Sequence, residues 1–489
     1  MEALSATLRG IAARGPLGLF IDGQWRASTG DRHVDVIAPH TEERLLRYTE
    51  PSHADTEAAV AAARAAFDTG PWPQLSPPER GVILKRVADH LRARMPELAE
   101  AWTGQVGATI GFSRRASQQA PGLFDYYGEL ITTQPFVEPR AGANGGRVHV
   151  VQEPVGVVAA ITPWNAPLVL LCYKVAAALA AGCTVVAKPS PETPIDAYIL
   201  AECISAAGVP DGVFNLLPAG REVGEQLIRH PLVDKVSFTG STQAGRLIGV
   251  ACAERLARAG LELGGKSAAI VLGDADLAKV LPSLVPYSMP ITGQVCFALT
   301  RVLVPAQRRD EILQAYCAAV GALKLGDPFA ADTGMGPLAL GRQLERVQSY
   351  IAQGSAEGAQ LVMGGSRPTH LPRGFFIEPT VFANVTPDMT IAREEIFGPV
   401  VIFIDYHDEA DLIAKANASD YGLHGTVYGE DVDYAYRIAR RVRSGSHSIN
   451  GMWVDIEMPF GGFKHSGIGR EGGIEGLHAF LETKTIYLS

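Results

Sequence analysis

At 489 residues the chain exceeds what one hydrophobic core usually supports, which predicts two or three domains. Hydrophobic residues at 47% and charged residues at 19% exclude a disordered or fibrous class. The net charge of −9, without a Lys/Arg block, leaves no electrostatic footprint for nucleic acid or an anionic membrane; no apolar run of about 18 residues predicts a membrane span.

In chain order, Met1 to Phe20 mixes Glu2, Arg9 and Arg14 among apolar residues and does not read as a targeting segment. Leu19–Trp25 is strand-like, and the rest of the first third reads helical. Ser52 with Asp55 is a capping-box signature ahead of the Ala-rich run Glu57–Phe67, and Ser76-Pro77-Pro78-Glu79 repeats it. Gly142–Gly146 is a break, and Arg147–Glu153 reads as a strand. From Val155 strands and helices alternate: Val155–Ile161, helix Leu168–Ala181, Cys183–Lys188, helix Ala197–Ala207, Val213–Leu217, helix Val223–Arg229, Lys235–Thr239 and helix Thr242–Ala257. This alternation predicts βαβ units and a parallel sheet, with ligands at the carboxyl ends of its strands.

A second alternating set follows: helix Asp276–Ser288, strand Leu299–Pro305, helix Arg309–Leu323, strands Val400–Asp405 and Thr426–Tyr428, and helices Glu409–Ala418 and Tyr434–Val442. It predicts a second α/β domain. The strand-like tail Leu481–Leu488 is expected to pair with Arg147–Glu153 or with another subunit. The six cysteines (Cys172, Cys183, Cys203, Cys252, Cys296 and Cys317) form no C-x-x-C pair. Free thiols in a reducing cytoplasm are expected, and no metal site is.

Four segments carry candidate chemistry, and each is ambiguous alone. Cys296, near Gly293, is a nucleophile if its thiol is activated, or else a core thiol. Glu262, just before Gly264 and Gly265, reads as a carboxylate on irregular backbone. Desolvation would make it a general base; backbone N–H groups would make it structural. Asn165 lies between Pro163 and Pro167, either as an oxyanion donor or as a helix cap. Phe238-Thr239-Gly240-Ser241 opens a helix and can cradle a pyrophosphate, although its Gly-x₄-Gly spacing is not the usual dinucleotide fingerprint.

Taken together, in this order and spacing, these segments resemble the aldehyde dehydrogenase superfamily over nearly the whole chain. Two more blocks match: Glu394-Glu395-Ile396-Phe397-Gly398-Pro399, and Pro459-Phe460-Gly461-Gly462-Phe463-Lys464 running on to Arg470-Glu471. The resemblance implies an α/β fold with a Rossmann-like NAD-binding domain (1–131 and 155–264), an α/β catalytic domain (265–471) and a small β oligomerisation element (132–154 and 472–489). It implies Cys296 as nucleophile, Asn165 and the Cys296 N–H as oxyanion hole, Glu262 as general base and Glu471 in proton relay. The cofactor set it implies is Ile161, Thr162, Pro163, Trp164, Lys188, Ser190, Glu192, Gly220, Gly224, Phe238, Gly240, Ser241, Leu263, Gly264, Glu395 and Phe397. NAD is the expected cofactor, with NADP admitted, and a homodimer or homotetramer the expected assembly.

The match departs in two places. Relatives that prefer NAD carry a glutamate three residues after the lysine; Pro191 stands there, with Glu192 one step on. Met289 and Phe297 replace an aromatic and a small residue in the cysteine block. By resemblance the aldehyde pocket comprises Leu170, Pro290, Val295, Phe297, Trp453 and Val454. These walls predict a hydrophobic aldehyde: aromatic, terpenoid or medium-chain aliphatic. No arginine in the matching loops would pair with a substrate carboxylate, which counts against semialdehyde acids. A CoA-acylating relative would lack Glu262, a non-phosphorylating glyceraldehyde-phosphate dehydrogenase would need basic residues for the phosphate, and a non-enzymatic protein on this fold would have lost the Cys, Glu or Asn.

Overall fold

A computed structural model describes residue 10 and residues 18–143 and 145–488. Nearly all of the Met1–Phe20 reading, and Asn144 in the 142–146 break, lie outside the described residues. Among the described residues, eight strands form the first sheet. Their order is Gly467–Ile468, Arg258–Glu262, Lys235–Thr239, Val157–Ile161, Thr184–Lys188, Phe214–Leu216, Leu19–Ile21, Gln24–Arg26. The run from Arg258–Glu262 to Phe214–Leu216 is parallel. Val157–Ile161 and Thr184–Lys188 are buried throughout, as parallel strands covered on both faces must be. The crossover helix between them, Pro167–Ala181, buries every residue except Leu170. Its all-round apolar character is that of a core helix.

The second sheet runs Gln360–Met363, Thr380–Ala383, Val400–Tyr406, Arg301–Pro305, Ala268–Val271, Gly425–Tyr428, Ser448–Ile449. A third, of Val137–Ala141, Arg147–Pro154 and Leu481–Leu488, stands apart. The tail pairs antiparallel within the chain, from Leu481 opposite Pro154 to Leu488 opposite Arg147. Both expected capping boxes form: Asp55 accepts from Ser52 N at 2.9 Å, and Glu79 accepts from Ser76 N at 2.7 Å.

The first third is less helical than its sequence implies. Leu19–Trp25 is a hairpin turning at Asp22-Gly23, both at positive φ, and His33–Ala38 pairs with Glu43–Thr49 in a second. Asp-Gly is a strong two-residue hairpin signal. The expected helix Thr242–Ala257 stops at Glu254, Leu256 turns the chain at φ +59°, and a strand, Arg258–Glu262, follows. The expected helix Tyr434–Val442 is Val432–Ala439, capped by Asp431, whose carboxylate accepts from Tyr434 N at 2.8 Å. Gly467–Ile468 adds to the edge of the first sheet, although it falls in the range 265–471.

Two histidines sit at the start of adjoining strands of the second sheet, His424 before Gly425–Tyr428 and His447 before Ser448–Ile449. His424 shares a 2.7 Å hydrogen bond with Ser446, while both ring nitrogens of His447 lack partners. Burial pushes His424 down to about 3 and His447 to about 4. Below pH 6.5 the unfolded chain therefore takes up protons that the folded chain refuses, and this contribution to stability is lost as pH falls toward 4. Buried Glu262 and Glu395, with raised pKa values, act in the opposite direction, so the test is a difference. His447→Gln is expected to lose less denaturation midpoint than the native protein between pH 6.5 and 4; parallel losses would contradict the assignment.

Candidate active site

Register lines up the residues at the carboxyl edge of the first sheet. Ile161 lies opposite Lys188 on one side and Phe238 on the other, and Thr239 lies opposite Glu262. Thr162, Pro163 and Trp164 leave the edge after Ile161, Ser190 and Glu192 after Lys188, and Gly240 and Ser241 after Thr239. Ser241 caps the helix Thr242–Glu254 by accepting from Ala244 N at 3.2 Å, and Gly220 caps Arg221–Arg229. Gly224 faces the Lys188 side chain, where a Cβ would lie 3.5 Å from Cε. The Lys188 ammonium donates to the Ala219 carbonyl; burial lowers its pKa to about 8, opposed by Glu192 and Glu50. Glu192 accepts from the Ser190 hydroxyl and from Arg342 at 2.5 Å.

Glu262 is the last residue of its strand, so the irregular backbone expected around it begins only at Leu263. Leu263 to Ser267 then crosses to the second sheet. Gly265 N donates to Glu395 at 3.0 Å. A Cβ on Gly264 would stand 2.4 Å from the Glu395 carboxylate, and one on Gly265 only 2.2 Å from the Cys296 carbonyl oxygen. At Gly265 the clash is with backbone and only glycine allows the approach, whereas at Gly264 the Glu395 side chain would have to move.

The loop before Cys296 holds Ile291, Thr292 and Gly293 in the left-handed region, at φ +47°, +57° and +75°. A Cβ on Gly293 would meet the Gly398 carbonyl oxygen at 2.1 Å. Buried Gln294 braces the turn, donating to Ile291 O at 2.9 Å and accepting from Ala339 N at 3.0 Å. Asn165 is not a helix cap: the cap position is Ala166, without a side-chain bond. Its Nδ2 donates to Gln294 O at 2.9 Å, and Trp102 Nε1 donates to its carbonyl at 3.0 Å. An amide nitrogen carries two hydrogens, so one remains for an oxyanion beside Cys296.

Cys296 is half-buried. Burial, then the Glu395 and Glu262 charges, push its thiol well up. Glu262 is buried with neither carboxylate oxygen partnered; burial and Glu471 raise its pKa far above the usual range, against Lys174 and Arg470. Burial raises Glu395 to about 7. Glu471 accepts from the fully buried Lys174 ammonium and, at 3.3 Å, from the Ser237 hydroxyl. Phe397, at φ +64°, meets Trp164 edge-on at 5.5 Å. That left-handed aromatic residue is an uncommon backbone state, held here by its neighbours. Gln343 Nε2 donates to Phe397 O at 2.7 Å, and Arg346 Nη2 to Glu395 O at 2.7 Å.

A cavity of about 350 Å³ borders Phe297. Pro290, Phe297, Trp453 and Val454 line it as expected, with Phe112, Met452 and Pro286; Leu170 and Val295 do not. Arg115 and Gln119 also line it, from outside the loops in which an arginine was sought. They come from the region of helix Ile110–Ala116, far from those loops in sequence.

Sequence reasoning missed Lys174, Glu50, Gln294, Gln343, Arg346 and Arg115. Gln343 and Arg346 belong to helix Gly341–Ala356, whose buried Leu344, Val347 and Ile351 mark a helical stripe that would have found it. Lys174, a charge within an otherwise apolar helix, was itself the available signal.

Two largely parallel α/β sheets thus meet near a cysteine, an asparagine amide and a glutamate without a hydrogen-bond partner among the described residues. Residues 25–486 match the aldehyde dehydrogenase family. The chain is 45% identical to geranial dehydrogenase from Castellaniella defragrans (96% of this chain, 98% of the relative) and 43% identical to 3-succinoylsemialdehyde-pyridine dehydrogenase from a Pseudomonas species (96% and 97%). Its fold superimposes on a Mycobacterium tuberculosis aldehyde dehydrogenase complexed with NAD+ at a TM-score of 0.95, with 43% identity and coverage of 97% and 98%. The chain belongs to the aldehyde dehydrogenase family and is an aldehyde-oxidising enzyme.

Burial and the Glu395 and Glu262 charges favour the protonated Cys296 thiol. Its alkylation by iodoacetamide, followed by peptide mass spectrometry, is expected to rise steadily into the alkaline range, while buried Cys172, Cys183 and Cys203 stay protected. Gly293→Ala is expected to cost at least about 1–3 kcal/mol and most of the activity, because it adds both strain and a clash; a native-like, active variant would refute the steric argument.

Proposed function

We propose that this enzyme oxidises a hydrophobic aldehyde to the carboxylic acid, with hydrolysis at Cys296 and NAD as cofactor. The convergence of Cys296, Asn165 and Glu262 on one spot carries this reading. The residues fit a dinucleotide at the carboxyl edge. Lys188 and Glu192 would hold the adenosine ribose, and the Ser241-capped helix terminus the pyrophosphate. Glu395 would hold the nicotinamide ribose, with Phe397 and Trp164 against the ring. Buried Thr162 Oγ1 has no partner, and such an orphan suits a bound polar group. Glu192 in place of the glutamate lost at Pro191 supports NAD while admitting NADP. Bound there, the nicotinamide supplies the acceptor for the hydride that leaves the substrate carbon.

The chain's own residues do the rest. Cys296 Sγ bonds to the aldehyde carbon as its proton passes to Glu262, which releases it before the hydrolytic step, and the carbonyl oxygen becomes an oxyanion held by Asn165 Nδ2 and the Cys296 N–H. After hydride loss the substrate is a thioester on Cys296. Glu262 takes a proton from water, whose oxygen bonds to the acyl carbon; the C–S bond breaks and the acid leaves. A carboxylate whose proton affinity is raised by burial suits that step. Glu471, through Lys174, offers an exit for the proton.

The apolar cavity and the geranial dehydrogenase relative support an aromatic, terpenoid or medium-chain substrate. The three sheets support a division into 1–131 with 155–264, 265–471, and 132–154 with 472–489, although strand Gly467–Ile468 crosses it. Exposed Leu247, Val250 and Leu256, with Ile486 and Tyr487 on the third sheet, support a homodimer or homotetramer. The cysteines, none in a disulfide, support a cytoplasmic setting.

The test is reduced-nicotinamide formation over an aldehyde panel, with NAD and NADP in parallel and no CoA. Cys296→Ala should abolish turnover, and Asn165→Ala should lower kcat by about 10²–10³. Glu262→Gln should give a stoichiometric burst and then near silence. A fully active Cys296→Ala enzyme would overturn the scheme.

A further inference from the structure

The aldehyde cavity carries a cation that an uncharged hydrophobic substrate would not need. Arg115 and Gln119 stand in its wall among Phe112, Tyr287, Phe297 and Trp453. Arg115 borders the adjoining cavity of about 210 Å³ as well, beside Met289 and Ile291. Among the described residues no acidic side chain pairs with it. Basic residues at a helix end commonly serve only the backbone dipole. Arg114, in the same turn, fills that role equally and lines neither cavity. Asp455 and Glu457 follow Val454 but take no part in the wall, so no carboxylate there competes with a bound anion.

We infer that Arg115, with Gln119 beside it, binds a carboxylate at the far end of the aldehyde substrate, so that the preferred substrates are semialdehyde acids with an apolar spacer. This rests on the oxidation proposed above and specifies its substrate. A guanidinium presents a planar fork of N–H donors that a carboxylate matches with two parallel bonds. Arg115 is exposed at the rim of the cavity, where its fork meets the acid end, and the aromatic walls give the spacer its apolar surface. The aldehyde end then lies toward Phe297 and Cys296, and the acid end toward helix Ile110–Ala116.

The experiment measures kcat/KM for 4-carboxybenzaldehyde and for its methyl ester in the native enzyme, R115Q, R115K and R114Q. Intrinsic aldehyde reactivity cancels when the acid-to-ester ratio is compared between enzymes, and a general folding defect lowers both substrates together. R115Q is expected to reduce the ratio about 10- to 100-fold, chiefly through KM, with R115K partly restoring it. R114Q is expected to leave the ratio close to native. An unchanged ratio in R115Q, or an equal fall in R114Q, would overturn the role of Arg115 while leaving the oxidation reading intact. Silence of the native enzyme on both probes would sink both readings.

Discussion

The site depends on a steric constraint in the crossover Leu263–Ser267. Here the chain leaves the first sheet at Glu262 and enters the second at Ala268. Two positions without side chains let the Cys296 carbonyl and the Glu395 carboxylate press against the crossover backbone. Base, thiol and the Glu395 carboxylate thereby come from three distant parts of the chain and still meet. The second support is the left-handed run Ile291-Thr292-Gly293, packed on Gly398, which fixes where the thiol emerges. Backbone in such a state persists only where its surroundings over-determine it, as Gln294 and Gly398 do here.

The same closeness concentrates ionisable groups in a poorly solvated space. Glu262, Glu395 and Cys296 all hold their protons more tightly than they would in water, and burial is the first cause in each case. Lys174 with Glu471, and Lys266, whose buried ammonium has no partner, belong to this seam too. Buried charge of this kind destabilises a fold. The apolar interior built on helix Pro167–Ala181 and the fully buried parallel strands offsets it. A carboxylate without a hydrogen-bond partner in such a place makes a poor structural group.

Much of this was legible in the residues. Four of the five parallel strands of the first sheet are short apolar runs flanked by turns, and the structure keeps them within a residue or two; the fifth, Arg258–Glu262, was not read as a strand. The Cys296, Glu262 and Asn165 segments were recognisable because their chemistry requires particular residue types in a particular order. The first third misled because its hairpins are half-exposed, with charges such as Asp35, Arg44 and Arg47 obscuring the alternation. Helix Gly341–Ala356, and with it Gln343 and Arg346, was overlooked although its stripe was present. Arg115 was out of reach on different grounds. Nothing local tells an exposed arginine that only solvates the surface from one at the rim of a cavity; only tertiary packing decides.

That packing also divides the labour of the site. The reacting groups hang from sheet ends and from a glycine crossover that tolerates no added atom at Gly265. The cavity wall comes instead from helix Ile110–Ala116, the end of helix Leu277–Ser288 and the 452–454 loop, none of them in either large sheet. Mutations in these parts of the wall, unlike those at Pro290 and Phe297 beside the reaction centre, can therefore accumulate without disturbing it. The protein is a rigid engine behind an interchangeable fitting, and directed evolution toward a new aldehyde has a defined set of positions in which to search.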